Sequence, residues 1–362
     1  MPSRVAVLDH LRGLSILGIL LVNAIAFAQP MAVYDHPHLI ALSPADEAVS
    51  TLTEVFFRDK FITALTVLFG VSVFLVGAEP RVLKRRLLWL VVFGLIHGAL
   101  IWYGDILLLY AVCGLLFARW RFMAGRRALA FGLIVFVVGA VLANWPSGDG
   151  VPDLAPVAQM RAGFLGSLTG NFAAWAATAV SQMGYLPVTL GGMMIGLGLF
   201  HGGFLKGEAL VKTYGLAIAV GLVSLGAIAF AVHAGTPWAA MINGLLCLPV
   251  TLGYAGALAL VDRARWGRVV LYPLACAGRM AFTNYLCQSL IMTAIFYGGR
   301  GPGLFGTMAH AALVPIVVAI WIGQLLFSTL WLRWFRYGPF EWVWRSLSYG
   351  RKLPITRSTA YP

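Results

Sequence analysis

The chain has 362 residues, 60% of them hydrophobic and only 11% charged, with a mean hydropathy of +0.86 and a formal net charge of +13. A soluble domain of that length cannot hide so much apolar surface in one core, so a soluble globular protein is excluded. A membrane span needs ~20 mostly apolar residues and must pair its backbone polar groups internally. The expected fold is therefore all-α, a polytopic transmembrane helical bundle forming a single integral membrane domain over residues 1–362.

The first apolar run, Leu8 to Ala28, carries Asp9, His10 and Arg12 at its front edge and Asn23 deep inside. Polar groups in a spanning helix cost free energy unless they face protein, water or ligand, so this run reads as part of a site. Arg4 followed by an apolar core and Ala26-Phe27-Ala28 also fits a cleavable signal peptide, with a mature chain starting at Gln29. Spans are read near Leu11 to Ala28, Phe61 to Ala78, Leu87 to Tyr103, Ile106 to Ala118 and Ala128 to Trp145. The next lie near Leu186 to Leu205, Tyr214 to His233, Ala239 to Val261, Met280 to Tyr297 and Ala311 to Leu332, ten in all, with a break expected at Pro273 and Gly278.

Arginines and lysines gather in alternate connections, at 81–86, 119–127, 206–212 and 263–268, and in the tail 333–362. The opposite loops hold only Arg58, Lys60, Arg161 and Arg300. The positive-inside rule then predicts cytoplasmic termini, a cytoplasmic tail, and extracytoplasmic loops at 30–60 and 146–185. The net charge is mostly this asymmetry, which favours anionic membrane lipids by roughly 1 kcal/mol per basic residue near the surface and gives no reason to expect nucleic acid. A basic inner rim also suits the phosphates of a nucleotide or coenzyme A. The cysteines, Cys113, Cys247, Cys276 and Cys287, show no CxxC spacing and read as small apolar fillers.

In the first outer loop, Ser43 is placed to cap a short helix over Pro44 to Glu47. His36 and His38 lack matched ligands for a metal site, and no metal is expected. Lys60, at the mouth of the second span, reads either as a snorkelling anchor or as a site residue. His97 lies inside the third span and Asp105 follows Gly104 at a tight turn. On one straight helix the two would stand ~12 Å apart, and a reversal at Gly104 brings them closer. His97 reads either as an interhelical hydrogen-bonder or as a general base.

The second outer loop opens with Pro146-Ser147-Gly148-Asp149-Gly150, and its Ala-rich stretch Asn171 to Val180, with Trp175, suggests a lid or interfacial helix. Gly192, Gly196, Gly198 and Gly202 allow close helix packing. In the ninth span Asn284 and Gln288, four apart, share a face roughly above Arg279, as interhelical glue or substrate contact. In the tail, Trp331, Trp334, Trp342 and Trp344 interleave with Arg333, Arg336 and Arg345, as an interfacial anchor or a phosphate-binding element.

Five ordered motifs resemble, from end to end, the bacterial membrane-protein family typified by YeiB, a domain of unknown function. They are LDHLRG with GILLVN (Leu8 to Asn23), KF with LFG (Lys60 to Gly70), HG with W, GDIL and Y (His97 to Tyr110), GRMAFTNYLCQS (Gly278 to Ser289) and WLRWFRYGPFEWVWRS (Trp331 to Ser346). The LDxxRG opening is also similar to that of transmembrane acyltransferases such as heparan-α-glucosaminide N-acetyltransferase. That likeness covers mainly the first spans and implies acyl transfer from coenzyme A on one membrane face to a hydroxyl or amine on the other. Where polysaccharide-acylating relatives carry a histidine late in the first span, this chain has Asn23.

The resulting expectation is an acyltransferase of the bacterial cytoplasmic membrane. It would use cytoplasmic acyl-CoA as a substrate, not a tightly bound cofactor, and deliver the acyl group to an extracytoplasmic glycan or small-molecule acceptor. Arg12, Arg279, Arg333 and Arg336 would hold donor phosphates. Asn284 and Gln288 would contact the donor or, like Asn23, donate to the developing oxyanion. His97 would take the acceptor proton and Asp105 would orient it, with Asp9, Lys60 and Trp102 completing the candidate set. No nucleophile stands out, so direct transfer is expected. The alternatives are a transporter or channel for a small metabolite, or a non-catalytic membrane scaffold, and a homo-oligomer is compatible with each.

Overall fold

The computed structural model describes residues 5–145 and 156–357, so the Pro146 to Gly150 opening of the second outer loop lies outside the described residues. The described residues are helical throughout, with isolated bridges but no strand. In chain order the helices are α1 (Ala6–Ala28), α2 (Met31–Asp35), α3 (Pro44–Phe56), α4 (Lys60–Val76) and α5 (Pro80–Ile96), which passes into a π turn (His97–Ile101). Then come α6 (Leu107–Phe117), α7 (Gly125–Ala143), α8 (Pro156–Arg161), α9 (Gly163–Gln182), α10 (Leu186–His201), α11 (Val211–His233) and α12 (Ala239–Arg263). The last are α13 (Gly267–Val270), α14 (Tyr272–Arg279), α15 (Ala281–Phe296), α16 (His310–Trp334) and α17 (Pro339–Tyr349).

Seven segments among the described residues are long and apolar enough to cross a membrane: α1, Pro44–Val76, α7, Gly163–His201, α11, α12 and α16. The chain is an integral multi-pass membrane protein. α6 and α15 are shorter apolar helices, and α5 opens on Arg81, Lys84, Arg85 and Arg86. The apolar window of α1 is 78% buried, against 28% for α7, α11 and α16, so α1 is the inner post and those three face outward.

Glycine sets how closely the post can be approached. A Cβ on Gly13 would lie 2.0 Å from Leu274 O, and one on Gly278 would lie 1.9 Å from Asp9 O, so α1 and α14 meet backbone to backbone. α10 is clamped in the same way, with Gly196 against Val67 O at 2.0 Å and Gly191 against Phe136 N at 2.5 Å. Such contacts replace the hydrophobic drive that helices lack in lipid.

The chain breaks between α14 and α15 at Met280, whose φ of −111° and ψ of 28° leave the helical region. The first amides of α15 are capped from the tail: Phe282 and Thr283 N–H donate to Glu341 Oε1 at 2.7 and 3.0 Å, and the Thr283 hydroxyl donates to Oε2. At the far end, Ser43 and Asp46 form a reciprocal capping box on α3, and Asp46 Oδ1 also accepts from Ala311 N at 2.8 Å, tying α3 to the start of α16.

The arginine-rich connections gather at one end of the bundle. There Arg263 donates to Gly207 O and Ala209 O, Arg86 lies over the Trp344 ring at 3.9 Å, and the Trp344 indole donates to Arg86 O at 2.9 Å.

Candidate active site between two cavities

Two cavities enter the bundle from its two ends. The one at the arginine-rich end has a volume of about 350 Å³ and is lined by Arg12, Arg86, Arg279 and Arg345 around Glu341 and Trp344, then by apolar side chains down to Ile106, Tyr110 and Tyr285. The one at the opposite end, about 460 Å³, is lined by Asn23, Arg58, Asp59, Trp102, Asp105, Asn144, Gln182 and Asn243 among others. Ile106 lines both cavities, and Thr66 of the outer cavity hydrogen-bonds Tyr110 of the basic cavity at 2.9 Å, so one residue layer divides them.

Beside that layer lies a three-residue relay whose Asp105 lines the outer cavity, while His97 and Ser289 line neither cavity and Tyr285 of the basic cavity packs on His97. His97 Nδ1 lies 2.8 Å from Asp105 Oδ1, and His97 Nε2 lies 2.9 Å from Ser289 Oγ, with all three side chains buried. A carboxylate oxygen can accept from Nδ1–H, and in that neutral tautomer Nε2 accepts from the Ser289 hydroxyl. Asp105 Oδ2 accepts from Leu108 N at 2.8 Å, which fixes the carboxylate at the start of α6.

His97 and Asp105 meet because the helix ends in a π turn. Trp102 N–H reaches back to His97 O at 2.8 Å, and the chain then reverses through Gly104. π turns leave backbone groups unpaired and concentrate at functional sites. Here the loose carbonyls are tied from outside: Asn171 donates to Gly98 O and Ala99 O at 2.9 and 3.0 Å, and Arg300 to Ile101 O and Leu100 O at 3.0 and 2.9 Å. Asn171 belongs to α9, the helix expected as a lid, whose Thr178, Ser181 and Gln182 line the outer cavity. Trp175 closes on Gly98, where a Cβ would sit 2.3 Å from the indole nitrogen.

On the outer side, Trp102 stacks on Phe27 with ring centroids 3.9 Å apart, and its buried Nε1 has no hydrogen-bond partner among the described residues. Asn23 stands one helical turn before Phe27 and lines the same cavity as Trp102 and Asp105.

Arg12 and Arg279 both line the basic cavity, whereas His97 lines neither cavity, and Arg12 also donates to the buried Asp9 at 3.1 Å. The other candidates lie elsewhere. Asn284 donates to Ala277 O and Ser328 Oγ, and Gln288 to Ile16 O and Gln324 Oε1, so both stitch α15 to its neighbours and line neither cavity. Lys60 is fully buried, donating to Glu54 O and to Asn243, whose amide in turn donates to Asp59 at 2.6 Å. Arg333 and Arg336 are exposed on the tail and line neither cavity. His36 and His38 are likewise exposed.

Relatives match this chain over nearly its whole length. A family model described as "Protein of unknown function (DUF418)" matches residues 197–351. The uncharacterized protein YeiB of Escherichia coli (strain K12) is 32% identical over 392 residues, covering 99% of this chain and 100% of the relative. The uncharacterized protein YxaH of Bacillus subtilis (strain 168) is 31% identical, over 99% of this chain and 97% of its own length. The chain belongs to the YeiB-like DUF418 family. No solved structure matches it.

Seen with the family's span in mind, the five motifs are one cluster in space. LDHLRG meets GRM through Gly13 and Gly278, GILLVN meets KF through Gly18 and Phe61, GRMAFTNYLCQS meets GPFEW through Glu341, and HG–GDIL meets the end of GRMAFTNYLCQS through His97 and Ser289. Sequence reasoning missed Ser289, Arg86, Asn171 and Tyr285. Ser289 closes a quoted motif four residues after Tyr285, and that motif's position opposite HG–GDIL was the only available signal.

Proposed function

We propose that this protein is a membrane-embedded acyltransferase with ten crossings, the seven long segments joined by α5 with its π turn, α6 and α15. Both termini and the arginine-rich end face the cytoplasm, in the cytoplasmic membrane of a bacterium. The observation that carries the reading is the relay Asp105–His97–Ser289, buried between Asp105 on one cavity and Tyr285 on the other.

Arg12, Arg86, Arg279 and Arg345 suit the phosphates of an acyl-CoA, and the apolar stem between Leu65, Phe69 and Leu90 suits its pantetheine arm and acyl chain. On the outer side the acceptor hydroxyl or amine lies against Asn23 and Trp102, whose free donors meet the oxyanion as it forms. His97, held in one tautomer by Asp105, takes the proton of the attacking group.

Titration of the purified protein with acetyl-CoA, followed by longer acyl-CoAs, tests this reading. Saturable binding that weakens with salt and with Arg279→Ala is expected, and folded protein that binds none of these donors would defeat it. The broken α14–α15 passage favours a second reading, alternating access for a small metabolite. Uptake of an unmodified solute into proteoliposomes would select it.

A further inference from the structure

We propose that Ser289 carries the acyl group through the wall as an ester, so that transfer proceeds in two steps made from opposite sides. This deepens the acyltransferase reading and rests on it.

Direct transfer needs donor and acceptor atoms ~3–3.5 Å apart in one chamber. The two cavities are separate and share only Ile106 among their lining residues. A carrier in the wall removes that requirement, and Ser289 is the hydroxyl in the relay. It lies one turn beyond Tyr285 on the same face of α15; the Tyr285 ring lines the basic cavity and packs on His97 with centroids 5.0 Å apart. Asp105, at the other end of the relay, lines the outer cavity. Ser289 is itself fully buried and lines neither cavity, so access from the basic side requires Tyr285 to swing away, and access from the outer side requires Asp105 and Trp102 to part.

The hydroxyl also differs from those of the buried Ser15 and Ser348 in where its proton goes. Ser15 and Ser348 donate to the carbonyl four residues back at 2.6 Å, the ordinary way for a helix to absorb a serine. For Ser289 the same contact, to Tyr285 O, is stretched to 3.3 Å, whereas His97 Nε2 stands at 2.9 Å. A carboxylate, an imidazole and a hydroxyl in this order form the arrangement that activates a serine for acyl transfer.

In the first step Ser289 Oγ attacks the thioester carbonyl and its proton passes to His97 Nε2. The carbon–sulfur bond breaks, and the proton leaves on the coenzyme A thiolate as free thiol. In the second step the acceptor hydroxyl or amine attacks the ester carbonyl and gives its proton to His97 Nε2. The carbon–Oγ bond breaks and the proton returns to Ser289. No oxidant or further reactant is required.

The test needs no knowledge of the acceptor. Full-length protein in detergent or nanodiscs is incubated with acetyl-CoA and isotopically labelled coenzyme A. We expect label to exchange into acetyl-CoA, and intact-mass and peptide analysis to find one acetyl group on Ser289. Ser289→Ala should bind acetyl-CoA with wild-type affinity while exchange slows by roughly 10³-fold or more. Ser289→Cys should trap a hydroxylamine-sensitive thioester. Protein that binds acetyl-CoA yet shows neither exchange nor adduct, or Ser289→Ala exchanging at the wild-type rate, would overturn the carrier and leave the acyltransferase reading standing. Absence of acetyl-CoA binding by folded wild-type protein would overturn both.

Discussion

The two cavities use charge in opposite ways. In the outer one the carboxylates of Asp35, Glu54, Asp59 and Asp105 outnumber the one lining cation, Arg58, which donates to Glu54 and Asp35, each at 3.2 Å, and lies over the Tyr34 ring, while Asp59 accepts from Asn243. Asn23, Asn144, Gln182 and Asn243 add neutral polar groups to the same wall. The basic cavity has four arginines on its walls and one carboxylate, and that carboxylate is engaged in capping α15. One wall is mainly basic and the other mainly acidic and polar, an asymmetry that suits the proposed transfer from acyl-CoA to an uncharged or cationic acceptor such as an alcohol or amine.

The sharpest way to break this comparison is to remove what stands between the cavities. His97→Ala should lower transfer by ~10² to 10⁴-fold, and Asp105→Asn by about 10⁴-fold, because the amide no longer imposes the tautomer that leaves Nε2 free to accept. Neither residue lines the basic cavity, so acetyl-CoA affinity should stay at the wild-type value in both. An equal loss of donor binding would show that the relay is a fold element shared by the cavities.

The second largest effect belongs to the basic cavity alone. Arg279→Ala or Arg86→Ala should weaken acyl-CoA binding by about 10- to 100-fold, the worth of a charge-assisted hydrogen bond of ~1.5–3 kcal/mol, with less effect in high salt. Arg333→Ala and Arg336→Ala serve as controls, since both arginines are exposed and away from the cavity, and should leave calorimetric titrations unchanged.

That contrast shows what was legible in the sequence. The membrane fold, the break near Pro273 and Gly278 and the Ser43 cap follow from local pattern, because hydropathy and turn chemistry act within a few residues, whereas the shared cavity of Arg12 and Arg279 depends on α1 meeting α14. The reversal at Gly104 was legible as an option, and the structure shows His97 and Asp105 in contact. Which tail arginine faces inward was not. Arg345 and Arg333 look alike in sequence, and only the seating of α17 against α5 and α15 turns the first toward the cavity. Asn284 and Gln288 were equally ambiguous, because a buried amide serves a neighbouring carbonyl as readily as a ligand. Ser289 was invisible for a different reason: its role depends on a histidine 192 positions away.

A third and smaller effect tests whether the wall of the basic cavity depends on close helix approach. Gly278→Ala places a Cβ 1.9 Å from Asp9 O, backbone against backbone, and should destabilise the protein by ~1–3 kcal/mol, read as a lower midpoint in detergent melts. Gly323→Ala, on α16 with nothing within 4 Å of the new methyl, should be neutral or stabilising by ~0.5–1 kcal/mol. If the two behave alike, the α1–α14 contact is looser than these distances imply.

The smallest expected effect concerns the one carboxylate in the arginine-rich cavity. Burial holds the Glu341 carboxyl above the usual glutamate range, even though hydrogen bonds from Thr283 and Phe282 pull the other way. The folded protein therefore binds this proton more tightly than the unfolded chain. Stability is greatest below the ordinary glutamate value of ~4.3, declines as pH rises toward the raised one, and is level above it. Glu341→Gln should remove that decline from a plot of melting midpoint against pH, while lowering the midpoint slightly at all pH values because an amide caps α15 less well. The opposite slope, with stability gained as pH rises and flattened by the same substitution, would mean that the helix amides outweigh burial. Glu341 would then remain ionised throughout this range, and the basic cavity would offer an incoming phosphate four positive charges less one full negative charge.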